Sequence, residues 1–83
     1  MPIYRKKPVE VEAVQWTGKN TVEIIDFCGA DILSFRGRNL DFIIGTLEGV
    51  TQVSVGDFVI KGVAGEFYPC KPDIFAATYE QVV

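Results

Sequence analysis

Gly56-Asp57-Phe58-Val59-Ile60-Lys61-Gly62-Val63-Ala64-Gly65-Glu66-Phe67-Tyr68-Pro69-Cys70-Lys71-Pro72-Asp73-Ile74-Phe75 opens on a turn and continues as the apolar strand Phe58-Val59-Ile60. Gly62, Gly65, Pro69 and Pro72 then interrupt it. Glycine and proline at this density fix sharp turns, and Phe58, Phe67, Tyr68 and Phe75 supply more aromatic surface than a small core needs. The stretch therefore predicts short strands joined by tight turns, with Phe67-Tyr68-Pro69 in a loop over the sheet that serves as a contact surface. Lys71-Pro72-Asp73 predicts the start of a single helical turn, with proline at the first helical position. Thr78-Tyr79-Glu80-Gln81-Val82 then reads as a last strand.

Upstream, period-two segments recur. Pro8 biases Lys7 toward extended backbone, and Val9, Val11 and Ala13 alternate with Glu10 and Glu12 as in a half-buried strand. The apolar phase shifts at Val14 and Trp16, which predicts either a bulge or cover on both faces. After the turn Thr17-Gly18-Lys19-Asn20, the spacing of Asn20 and Glu23 predicts a capping box. Val22, Ile24, Ile25 and Cys28 then predict one apolar side of a short helix that Gly29 stops. Ile32-Leu33-Ser34-Phe35 and Leu40-Asp41-Phe42-Ile43-Ile44 predict a hairpin about Arg36-Gly37-Arg38-Asn39. Thr46-Leu47 and Val50-Thr51-Gln52-Val53 predict another about Glu48-Gly49, where glycine supplies a positive φ. The fold class is α+β: a small bent antiparallel sheet or partly open barrel with one short helix, residues 1–83 forming a single domain.

Composition bounds the function. The 83 residues are 48% hydrophobic and 23% charged, inside the globular range, and a chain this short buries only about 60–65% of its unfolded surface. A net charge of −3 argues against general DNA coating, which needs a basic face. No apolar run reaches the roughly 20 residues that cross a bilayer, and the start lacks a signal-peptide core, so a cytoplasmic protein is expected. Cys28 and Cys70 are isolated and histidine is absent, which predicts reduced thiols, no metal site and no cofactor.

Several groups carry potential chemistry. Arg5-Lys6-Lys7 beside Tyr4 suits phosphate and a stacked base, and equally suits a solvated basic edge that blocks strand addition. Lys61 and Lys71 bracket Phe67-Tyr68-Pro69, so an anion and a planar base could be held together, or the lysines could simply be solvated. Trp16 reads either as core or as the floor of a pocket. Arg36-Gly37-Arg38-Asn39 is a second basic turn of lower rank. Asp57 with Glu66 or Asp73 could in principle do acid-base work, and Cys70 beside Lys71 could act as a nucleophile. Surface carboxylates at turns and the lack of a histidine base speak against catalysis. The expected ligand-binding set is Tyr4, Arg5, Lys6, Trp16, Lys61, Phe67, Tyr68 and Lys71.

The segments Tyr4 to Gly18, Thr46-Leu47-Glu48-Gly49 and Gly56 to Phe75 together resemble a family of small proteins encoded by bacteriophages and prophages. The resemblance runs over nearly the whole chain and is least distinctive from Arg36 to Ile44. It implies a bacterial host cell as the location. It also implies a non-catalytic role in counter-defence, as a sponge that sequesters a small anionic cyclic nucleotide. The alternatives are a protein-binding inhibitor or adaptor of a host or phage protein, and a phage structural accessory. A homo-oligomer is expected, because a domain of this size has little interior to spare for a ligand cavity of about 300 Å³ or more.

Overall fold

The computed structural model describes residues 2–4, 8–36 and 41–82, with backbone alone at 30 and 33–36. The elements run β1 (Glu12–Gln15), α1 (Thr21–Cys28), a 3-10 turn (Gly29–Asp31), β2 (Ile32–Arg36), β3 (Asp41–Thr46), β4 (Gly49–Val53), β5 (Phe58–Lys61), β6 (Phe67–Cys70) and α2 (Pro72–Thr78). They form two three-stranded antiparallel sheets, ordered β1-β5-β6 and β2-β3-β4. The α+β class stands. The bent sheet is divided in two rather than curled into a barrel, and a second helix is present.

Alternation explains the core. On β3, Phe42 and Ile44 face inward, and Val53 stands opposite Phe42 on β4. Val59 and Phe67 contribute from the other sheet, and Ile24 and Cys28 from α1. Trp16, immediately after β1, is 1% exposed and meets Phe42 edge-on at 5.4 Å, while Phe27 meets Phe67 edge-on at 5.4 Å. Trp16 is thus part of the joint between the sheets. The apolar side of α1 is Ile24-Phe27-Cys28 rather than the expected set, for Val22 and Ile25 point to solvent.

The opposite face of the β1-β5-β6 sheet has its own cover. Phe58 stacks on Phe75 of α2 at 3.8 Å and 8°, and Phe75 stacks in turn on Tyr79 at 4.9 Å. A seven-residue helix is too short to persist alone, so this aromatic column is what holds α2 in place.

The turns show where sequence patterning met competing interactions. Gly49, at φ 116°, closes the β3–β4 hairpin as expected. Asn20 makes no cap on α1: its Oδ1 accepts from the Thr17 N–H and hydroxyl, while its Nδ2 donates to the Gln15 carbonyl and Glu23 Oε1. The capping box is replaced by a clamp on the β1–α1 turn. The expected last strand is not formed, because Thr78 ends α2 and residues 79–82 have no regular structure. Likewise, residues 8–11 precede β1 without strand pairing. The expected turn at Arg36-Gly37-Arg38-Asn39 and the start of its second strand at Leu40 fall mostly outside the described residues.

Candidate functional site

Phe67-Tyr68-Pro69 forms the first three residues of β6, not a loop. Pro69 lacks an N–H, yet β6 is an edge strand, where proline is tolerated. Consecutive strand residues point to opposite faces. Phe67 therefore enters the core, whereas Tyr68 places its hydroxyl 3.4 Å from that of Tyr79. That hydrogen bond, together with burial, pushes the Tyr68 phenol up to about 12. The two rings cannot stack on one ligand.

The expected cations do not converge either. Lys61 pairs in register with Phe67 at one end of β6, and Lys71 follows Cys70 at the other, four residues or about 13 Å along a strand. Lys61 is exposed and stands opposite Glu12 in the β1–β5 register. Lys71 Nζ lies 3.1 and 3.2 Å from the two carboxylate oxygens of Asp57. Asp57 also accepts from the Ser54 N–H, and the Ser54 hydroxyl reaches Asp41, which Gln52 donates to as well. Lys71 thus belongs to a polar network that ties the β4–β5 turn to the end of β6. Trp16 is enclosed by the core, and Tyr4 is 88% exposed. Arg5 and Lys6 lie outside the described residues.

Two of the carboxylates weighed for chemistry, Asp57 and Glu66, have partners within the fold, and neither thiol is activated. Asp57 is ion-paired, and Glu66 folds back over the β5–β6 turn to accept from the Ala64 N–H. Gly62 makes this possible, because a Cβ there would collide with the Glu66 carboxylate. Lys71 does not activate Cys70; burial, Asp57 and Asp73 push its thiol up. Burial, with Asp31, pushes Cys28 up to about 11. Both thiols are free, and among the described residues no group of three or more His, Cys, Asp or Glu could hold a metal ion. No helix among them is long and apolar enough to cross a membrane.

A concavity among the described residues lies between the two sheets. A cleft of about 490 Å³ runs between the β3–β4 turn with the start of β4 (Leu47, Glu48, Val50) and Glu66 with the strand β6 that follows it (Phe67, Tyr68). A neighbouring recess of about 340 Å³ shares Thr46, Leu47, Glu66 and Phe67 and adds Asp31. β4 and β6 are the edges of their respective sheets. Leu47 and Val50 are 79% and 68% exposed at the rim. Among the described residues, the charges along this groove are Asp31, Glu48 and Glu66, with no lysine or arginine in its lining. Sequence reading missed it, since Glu48 appears only as a turn residue and Glu66 only as a turn carboxylate to be weighed with Asp57, until the hairpin tips face each other.

Three carboxylates matter for ligand choice. A phosphate about 7 Å from one of them would be opposed by about 0.6 kcal/mol at the dielectric constant of water, and by about 2.4 kcal/mol at an effective value of 20. A cation gains what the phosphate loses. Comparison with family models, with curated proteins and with solved structures finds no match to this chain.

Proposed function

We propose that this is a non-catalytic binding protein whose contact surface is the groove between β4 and β6, taking an extended, cationic and apolar segment of a partner protein. The observation that carries this reading is the pairing of exposed Leu47 and Val50 with a groove whose charges, among the described residues, are all carboxylates. Edge strands on both sides offer backbone groups to an added strand, the apolar rim takes its side chains, and the acids select for lysine or arginine. In this reading the protein is an inhibitor or adaptor, and a counter-defence role would be exercised on a host protein.

A second reading, capture of a small anionic cyclic nucleotide, draws on Lys61 and on Tyr4, exposed and followed in sequence by Arg5-Lys6-Lys7. It would use a surface other than the groove. One experiment separates the two: calorimetry with extended basic-apolar peptides, their acidic counterparts, and a panel of cyclic nucleotides. The peptide reading expects binding of the basic set alone, weakened about tenfold or more by Glu48→Lys. Nucleotide binding that survives Glu48→Lys, with no peptide binding, would transfer the function to the second reading.

A further inference from the structure

The chain itself contains a segment with the chemistry the groove selects. Pro2-Ile3-Tyr4-Arg5-Lys6-Lys7 carries two large apolar side chains followed by three positive charges, while acids outnumber bases over the chain as a whole, 11 to 8. Ile3 is 96% exposed, and residues 2–4 and 8–10 are exposed throughout. The molecule measures 51 × 25 × 20 Å with a radius of gyration of 13.9 Å, against about 12 Å for a compact domain of this length.

We propose that the groove between β4 and β6 receives residues 2–7 of a second copy of this chain, so that two copies associate by exchanging these segments. The inference rests on the reading of the groove as a docking surface and names its resident occupant. Lengths match: six extended residues span about 20 Å and the five of β4 about 16 Å. Charges match as well, with Arg5-Lys6-Lys7 meeting Asp31, Glu48 and Glu66. Ile3 and Tyr4 would cover Leu47 and Val50, whose exposure is otherwise unexplained. Reciprocal exchange makes a closed, two-fold assembly in which each groove is filled. A partner protein then binds by displacing the segment.

The test is a charge swap in the full-length protein, read by sedimentation equilibrium. Wild type is expected to be dimeric. The triple variant Arg5→Glu/Lys6→Glu/Lys7→Glu and the groove variant Glu48→Lys should each raise the dimer dissociation constant about tenfold or more. Mixing the two should restore association, because each then offers what the other lacks. Circular dichroism establishes that both variants are folded. A monomeric wild type, a dimer indifferent to both reversals, or mixed variants that stay monomeric would overturn the proposal. If the monomeric protein still binds foreign basic-apolar peptides in a Glu48-dependent way, the reading of the groove stands while its occupancy by a second copy fails. If neither is seen, both fail.

Discussion

Asp57 is 3% exposed, yet it carries a carboxylate, and the chain accommodates it with two partners of different kinds. The Ser54 N–H is part of the turn that Gly56 completes, whereas Lys71 approaches from the end of β6 with a side chain 60% exposed. The difference in exposure sets their weights. Screening by solvent leaves the Lys71 ion pair worth less than about 1 kcal/mol, while the half-buried Ser54 N–H, deprived of its acceptor, costs about 1–3 kcal/mol. Asp57→Ala should accordingly destabilise the protein by about 1–3 kcal/mol in urea unfolding, and Lys71→Ala by under about 1. Equal losses would mean that the ion pair, not the turn, fixes this carboxylate. The same comparison explains why Lys71 misled a reading by sequence. A lysine bracketed by a cysteine and a proline shows nothing of its partner, which lies 14 positions away and meets it only because β5 and β6 pair.

At the scale of elements, local signals translated well where alternation and turn chemistry agreed. The β2–β3 and β3–β4 hairpins, the helix after Asn20 and its end at Gly29 follow from period and glycine placement. β6 did not, because Pro69 inside Phe67-Tyr68-Pro69-Cys70 argues against a strand until its place at a sheet edge is known. The groove was illegible for a related reason: it is made by the packing of β6 against β3 and β4, contacts that no local pattern encodes. α2 is the informative intermediate case, since Pro72 announces its start but not its length. Its seven residues depend on Phe75, stacked between Phe58 and Tyr79. Phe75→Ala should therefore detach α2 while sparing the core, at a cost of about 1–3 kcal/mol. Hydrogen exchange is the measurement: the Phe75 and Tyr79 amides, bonded to the carbonyls of Lys71 and Phe75, should lose protection while those of β3 and β4 keep theirs. Uniform loss across both sets would show that α2 is integral to the core.

The whole molecule has no histidine, so no side chain with an ordinary pKa between 5 and 8 can alter its stability near neutrality. The alkaline side is different. Cys28, ordinarily at 9.0, is held at about 11, because burial first and the nearby Asp31 second oppose a thiolate. Tyr68, ordinarily at 10.0, is held at about 12, mainly by its hydrogen bond with Tyr79. Both groups ionise more readily in the unfolded chain than in the folded one. Below about pH 9 they are neutral in both states and oppose nothing. As pH rises from about 9 toward 11 for Cys28, and from about 10 toward 12 for Tyr68, the unfolded chain loses its protons first and gains stability relative to the fold. The melting temperature should thus be flat from pH 6 to 8 and fall progressively above about 9. Cys70, whose thiol is also pushed up, adds to the decline, and two substitutions remove the other parts: Cys28→Ala lowers stability at every pH by removing packing but flattens the decline that begins near 9, and Tyr68→Phe flattens only the part that begins near 10. A melting temperature that stays constant to pH 11, or a decline of the same steepness in both variants, would show that neither group is held neutral by the fold.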